Sequence, residues 1–276
     1  MFTRHTYSYV KSQIIRPIID RLLGRSLPWA EGEEHKRQRA MLSPVFTNEN
    51  VKTMSDQIYG ASDKLVDALR NQIHDSPEPS KPINILDWTS RATLDIIGAV
   101  GFGYDFKSGQ SDEAKAIASE WKQIVNTGIA FPGFVAPLVM RALPFIVNLP
   151  VKAIQAQGAI KVLVKKLAAE IVEGRQGLEE AAKGKDLLST LLRMQNVQGQ
   201  ELDQLLDHIC TFVMVGHETT SATLNFTLME LARNKEMQDR LRKELTEFQG
   251  SGPGGEPTYE ELQTKLPYLD AVCKEA

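Results

Sequence analysis

The sequence predicts a mainly α-helical fold, and three observations carry that prediction. Apolar residues recur at helical spacing through most of the chain, as at Val51, Met54, Ile58, Leu65, Val66 and Leu69. Proline and glycine clusters, such as "PEPSKP" (77–82) and "GSGPGGEP" (250–257), fall between these stretches and break them. The longest helical pattern, "DQLLDHICTFVMVGHETTSATLNFTLMELARN" (203–234), is apolar almost throughout yet has a charge, an imidazole and two hydroxyls at its middle. Only two short runs, "NILDW" (84–88) and "GFGYDF" (101–106), are candidates to pair as strands.

The bulk properties set wide limits. A chain of 276 residues suits one large domain or two ordinary ones, and 42 % hydrophobic with 24 % charged residues is globular rather than disordered or fibrous. A net charge of -3 supplies no basic excess for nucleic acid. Two cysteines, Cys210 and Cys273, are too few for a secreted disulfide framework, so a reducing compartment is expected, with both read as buried, unreactive thiols. The start, "MFTRHTYSYVKSQIIRP", has charges throughout and reads as neither a signal peptide nor a membrane anchor.

The elements follow in order. Residues 48–73 read as one long amphipathic helix with Asn48 or Asn50 as its cap, and 83–103 as a largely apolar helix that ends at Gly101 and Gly103. The stretch 128–150 carries no charge but Arg141, and Pro132, Pro137, Pro144 and Pro150 prevent it from spanning a bilayer as one helix. A buried apolar loop and a flap at a membrane or substrate entrance both fit it. A charged amphipathic helix that passes into a Lys/Glu-rich surface comes next, then a short helix at "DLLSTLLRMQ" (186–195). After the Gly/Pro linker, Thr258 is placed to cap a helix with Glu261 at the capping-box position.

Three readings compete for Gly216, His217, Glu218, Thr219 and Thr220. A zinc site of the His-Glu-x-x-His type fails, because position 221 is Ser221. A structural reading has the threonines bonding back to carbonyls one turn earlier and Glu218 paired with a base, which makes a satisfied polar break in a core helix. In the third, the mid-helix Gly216, at roughly 1 kcal/mol relative to alanine, permits close approach of another body to the backbone. Thr219 then bonds the Val215 carbonyl, opening the helix locally beside a ligand, while Glu218 relays protons.

At this point a resemblance enters. "VGHETT" (215–220) resembles the central-helix motif of the cytochrome P-450 family of haem-thiolate monooxygenases, Ala/Gly-Gly-x-Asp/Glu-Thr-Thr/Ser. It implies that Glu218 and Thr219 are the catalytic acid–alcohol pair that delivers protons to dioxygen, and that Val215, Gly216 and Thr219 line the cofactor. Val215 departs from the family's Ala or Gly. "LPWAEGEEHKRQRAMLSPVF" (27–46) resembles the family's C helix, with His35 and Arg39 one turn apart as the haem-propionate clamp. "TLDIIGAVGFGYDF" (93–106), "KDLLSTLL" (185–192) and "LPYLDAVCKEA" (266–276) resemble the E helix, the start of the H helix and the approach to the K helix, with wording similar to fungal members.

The resemblance covers the chain from "YVKS" onward, and implies a single partial domain, 1–276, from the B helix to the start of the K helix, with the flanking β regions absent. By the family pattern the cofactor is haem b, the substrate an apolar small molecule, and the electrons come from NADPH through a reductase partner. The 129–150 region would contact a membrane peripherally, and the full-length protein would sit at the cytosolic face of the endoplasmic reticulum. Neither cysteine fits the family's ligand loop, and Glu275 lacks the arginine partner of the family motif, so this chain is expected to bind haem weakly or not at all and to be inert alone. The alternative of a different class is a haem-free helical binding or regulatory module on the same scaffold.

Overall fold

The computed structural model describes residues 9–12, 15–74, 82–129, 139, 142–143, 152–174, 186–198 and 201–275. Among these all regular structure is helical, and the two candidate strands are corrected. "NILDW" opens a helix, and "GFGYDF" forms a π-helical turn, Gly98–Phe102, and the bend after it. There the Tyr104 N–H donates to the Gly98 carbonyl at 2.9 Å. The bend sends both Phe102 and Phe106 into the core, at 2 % and 1 % exposure, which an extended strand with alternating faces does not need. The apolar flap expected over 129–150 and the Lys/Glu-rich surface over 175–185 lie almost wholly outside the described residues.

In chain order the helices are α1 (Ile15–Leu23), α2 (Gly32–Leu42), α3 (Asn48–Lys52), α4 (Ser55–His74), α5 (Ile85–Ile97) and α6 (Asp112–Ile129). They continue as α7 (Lys152–Gly174), α8 (Leu187–Gln198), α9 (Leu202–Arg233), α10 (Lys235–Glu247), α11 (Tyr259–Thr264) and α12 (Pro267–Glu275). The long helix predicted from residue 48 is in fact two. Thr47, not an asparagine, caps α3 by accepting from the Asn50 N–H, while the Asn50 side chain turns inward to donate to the Val45 carbonyl at 2.8 Å. α3 ends after little more than one turn at the cap Thr53, whose N–H donates to the Asn50 and Val51 carbonyls, and α4 starts afresh. Thr258 and Glu261 form the predicted capping box at α11, and Glu261 also accepts from the Ser251 N–H, which ties down the glycine linker.

α9 is the axis of the structure. At about 1.5 Å per residue its 32 residues reach about 48 Å. Leu205, Ile209, Val213 and Met214 are at most 2 % exposed, and they pack with Ile160, Val164 and Leu167 of α7 and with Leu188, Leu191 and Leu192 of α8. Apolar side chains of this size contribute about 1.5–3 kcal/mol each when fully buried, so this shared cluster organises the helices. Past Ser221 the helix emerges, and Leu224, Phe226, Leu228 and Met229 are exposed.

One carboxylate secures the packing of three elements. Asp207 of α9, with its side chain 4 % exposed, lies 2.6 Å from Lys165 Nζ and 3.5 Å from Lys161 Nζ, both on α7. It also accepts the Arg25 backbone N–H at 2.7 Å. That last bond is possible because residue 24 is glycine: its φ is +81°, and a Cβ there would stand 2.0 Å from the Asp207 Cγ. Burial works against the Lys165 charge, but the carboxylates of Asp203 and Asp207 overcome it and raise its pKa. Next to this contact Ser26 Oγ and Thr211 Oγ1 meet at 2.5 Å, so the strap between α1 and α2 is laced onto α9.

Asp207→Ala is expected to cost about 3–5 kcal/mol, because it leaves two lysines and a backbone N–H without their shared acceptor. Chemical denaturation of the two proteins measures it; a loss below about 1 kcal/mol would show that the carboxylate is incidental.

Candidate functional site

The central pentapeptide is divided between two faces of α9. Val215 is 44 % exposed, and Thr219, Thr220 and Thr223 are exposed with it on the outward face. Thr219 Oγ1 donates to the Val215 carbonyl at 2.8 Å, the bond predicted from sequence. Thr220, Thr223 and Thr227 bond back to Gly216, Thr219 and Thr223 in the same way, at 2.9–3.0 Å. The expected local opening of the helix is therefore corrected: α9 runs through 215–220 uninterrupted, since a hydroxyl that shares a carbonyl already used by the helix need not displace its N–H partner. With its hydrogen committed to Val215, the Thr219 hydroxyl presents lone pairs to the open face.

Gly216 is explained by α5. A Cβ at this position would lie 2.9 Å from Ile97 Cγ1 and 3.1 Å from Ile97 Cδ1. The body whose close approach the glycine permits in this structure is thus a neighbouring helix. The same stripe of α5 supplies a polar seam. Thr93 Oγ1 donates to the His217 carbonyl at 2.9 Å, and Thr89 Oγ1 lies 3.0 Å from both Ser221 Oγ and Asn225 Oδ1. Thr89, Thr93 and Ile97 are spaced by one turn each, so one edge of α5 meets α9 along its middle.

His217 and Glu218 turn the other way, into a cleft of about 430 Å³ between α5, α6 and α9. The Glu218 side chain is 36 % exposed. His217 is buried, its Nδ1 2.8 Å from the Val213 carbonyl and its Nε2 3.7 Å from Glu218 Oε2. Burial lowers its pKa, against the opposing pull of the Val213 bond and the Glu218 charge. Trp121 of α6 stands edge-on to the imidazole with ring centroids 6.3 Å apart. The sequence reading considered His217 only as a zinc ligand and passed over Trp121, whose signal is a lone indole on the inner edge of a charged amphipathic helix.

His35 and Arg39 lie one turn apart on α2, the imidazole half-buried and the guanidinium exposed. Burial lowers the His35 pKa, and the charges of Lys11 and Arg39 lower it further. Gln38 and Leu42 are the buried residues of this helix, three and seven positions after His35 and so on the adjoining part of the same face. Beyond its end Phe46 meets Phe212 of α9 with centroids 5.8 Å apart, so α2 approaches the same helix that carries Thr219. Of the two thiols, Cys210 is buried and pushed up to about 12 by burial, with Asp207 adding to the effect, and its sulfur faces the Leu22 carbonyl at 3.8 Å. Cys273 is exposed on α12, which corrects the reading of both as buried.

His208 is a second departure from the apolar pattern. It is 0 % exposed, and neither ring nitrogen has a hydrogen-bond partner. Burial drives its pKa from 6.5 to about 4, against the pull of Asp207. The folded state thus holds the neutral ring while the unfolded chain takes up a proton below 6.5, so stability is complete above that pH and falls toward pH 4.

Comparison with known proteins places these features. The sequence model of the family described as cytochrome P-450 matches residues 3–276. Among fungal relatives, cytochrome P-450 monooxygenase claQ of Ampulloclitocybe clavipes is 30 % identical over 99 % of this chain and 52 % of its own length. Cytochrome P-450 monooxygenase 91 of Postia placenta is 32 % identical over 98 % of the chain and 52 % of its own length. Cytochrome P-450 monooxygenase FSL4 of Gibberella zeae is 29 % identical over 100 % and 51 %. The chain spans about half the length of the curated relatives it matches.

Two measurements follow from this geometry. Gly216→Val is expected to destabilise the protein by about 1–3 kcal/mol through overlap with Ile97, and Ile97→Ala in the same chain to recover part of that loss, read as a double-mutant cycle. Between pH 7 and pH 4.5 the wild-type protein is expected to lose more stability than His208→Leu, the difference approaching roughly 3 kcal/mol at the acid end. Parallel slopes would remove His208 from the account.

Proposed function

This chain belongs to the cytochrome P-450 family, and from that premise we propose that it is the oxygen-side half of a monooxygenase that inserts one atom of dioxygen into an apolar organic substrate. The observation that carries the reading is the outward face of α9. Val215 and Thr219 stand there exposed and uncharged, with the hydroxyl lone pairs turned outward and a carboxylate, Glu218, as the next residue. We read 1–276 as one partial domain of that enzyme.

The donor set fits one face of a haem and its carboxylates. His35 and Arg39 supply an imidazole and a guanidinium one turn apart, suited to propionates, and Val215 with Thr219 offers a surface a porphyrin can approach without burying a charge. The sulfur is a different matter. Cys210 points into the core with its thiol held protonated, so it does not fit as an iron ligand. When bound through a thiolate, haem supplies the reductive activation of dioxygen.

The rest is the work of this chain. His35 and Arg39 orient the cofactor by its propionates. Val215 sets the width of the oxygen side and, as a branched residue, narrows it. Thr219 accepts a hydrogen bond on the open face while its own proton rests on the Val215 carbonyl, and rotation of the hydroxyl turns that proton outward. Glu218, in contact with solvent through the cleft, replaces the proton. NADPH acting through a reductase partner fits this chemistry as the source of electrons, and the family pattern favours attachment of the whole protein at the cytosolic face of the endoplasmic reticulum. Among the described residues no helix is long and apolar enough to cross a membrane.

The test is a chimera in which the matching half of claQ is replaced by this chain. The reduced, carbon-monoxide-bound chimera is expected to show the Soret band of thiolate-ligated haem. Thr219→Ala is expected to release about tenfold more peroxide per NADPH consumed, since each factor of ten corresponds to 1.36 kcal/mol of lost proton-transfer stabilisation. A chimera that binds haem but shows the same peroxide yield with and without the hydroxyl would overturn the role given to Thr219.

A further inference from the structure

The charged groups of the cleft between α5, α6 and α9 are unevenly partnered. Arg91 of α5 and Lys115 and Lys122 of α6 line it together with two acids, Asp87 and Glu218. Asp87 accepts from the Asn84 side-chain amide at 2.9 Å, and Glu218 lies 3.7 Å from His217 Nε2. None of the three cations has an ion-pair or hydrogen-bond partner among the described residues. The charges left unanswered in this space are therefore positive. Lys115 and Lys122 are exposed and two turns apart, which by itself is an ordinary solvated wall. Arg91 is different. It is half-buried, and its stem runs so close to the backbone of residue 109 that a Cβ there would stand 2.3 Å from Arg91 Cγ. Gly109, with a φ of +69°, leaves room for it and so fixes the stem at the cleft wall. The guanidinium carbon is 5.5 Å from the Trp88 ring centroid, near the limit of about 6 Å for a cation–π contact. Its N–H donors keep no acceptor.

Between these cations the accessible lining of the cleft is mainly apolar. Leu86 and Ala118 are exposed, Trp121 is half-buried, and Leu94 is buried beneath them. Ala118 and Ser119 are the lining residues between the two lysines, so small side chains leave a notch in the α6 wall. The volume of about 430 Å³ lies within the usual span of small-molecule sites, about 300–1,000 Å³.

We propose that this cleft binds a small amphiphilic organic anion, a carboxylate carried on an aromatic or branched apolar body. Arg91 gives the carboxylate two parallel N–H bonds, which its planar fork suits and which outweigh the long contact with Trp88. Lys115 and Lys122 draw the anion in from solvent and, being exposed, add little once it is bound. The apolar body fills the notch at Ala118, against Leu86 and Trp121. Glu218 enters from α9 and repels an anion, so the carboxylate is kept on the α5 and α6 side. No covalent or redox step is involved, and the site depends neither on haem nor on the function proposed above.

The experiment is calorimetric titration of the whole chain, without haem and at neutral pH, with naphthoate as the probe and naphthamide, the same body without the charge, as its control. Naphthoate is expected to bind about tenfold more tightly than the amide, the worth of one charge-assisted contact. Arg91→Gln keeps most of the stem against residue 109 and is expected to remove that advantage while leaving the amide unchanged. Lys122→Gln, on the exposed rim, tests the charge without touching the core and is expected to weaken naphthoate alone by about threefold. Ala118→Trp, also at an exposed position, fills the notch and is expected to weaken both ligands by about tenfold or more. Equal affinity for acid and amide in the wild-type chain would overturn the proposal, as would an advantage that survives Arg91→Gln or naphthoate binding that Ala118→Trp leaves unchanged. Because no haem is present, failure here leaves the oxygen-side reading untouched, and failure of the chimera leaves this result untouched.

Discussion

The carboxylate of Asp207 is the interaction on which the arrangement depends. A charge buried in the middle of a long apolar helix is tolerable only if its partners come with it, and here they come from two directions. Lys161 and Lys165 fasten α7 on one side, and the Arg25 N–H fastens the strap that leads into α2 on the other. The strap in turn fixes where α2 starts, and therefore where His35 and Arg39 stand. A single acid thus couples the packing of the core to the placement of His35 and Arg39, and Gly24 is the local condition for it, since any side chain there would collide with the carboxylate.

A second constraint divides the chemistry of α9. Ile97 approaches so closely that Gly216 has no room for a Cβ, and one turn earlier Thr93 gives the His217 carbonyl an extra donor. With α5 held there, the remaining polar residues are distributed by helical geometry: Val215 and Thr219 to the open side, His217 and Glu218 to the cleft. The helix itself stays regular, so the polarity of this region comes from side chains and not from a broken backbone.

Much of this was legible beforehand. The periodicity of 186–195 marked a real helix, Thr258 and Glu261 made their capping box, and the Thr219 bond to Val215 formed as its i−4 spacing required. These features are local, set by residues within a turn of one another. The misreadings share an opposite cause. Asn50 abandoned a capping role to satisfy the Val45 carbonyl, "GFGYDF" bent because two phenylalanines had core sites to fill, and Cys273 proved exposed because the helix carrying it turns another face inward. In each case a partner distant in sequence or a burial demand outweighed propensity.

The sequence by itself determined the helical class, the long central helix and the family motif on it, because periodicity, capping and motif spacing are short-range properties written into consecutive residues. Only the tertiary structure decided which helix fills the space at Gly216, that Glu218 opens to a cleft, and that Trp121 and His217 share it. Those depend on how α5 and α6 seat against α9, a matter of complementary shape between segments far apart in the chain, and no local pattern encodes it.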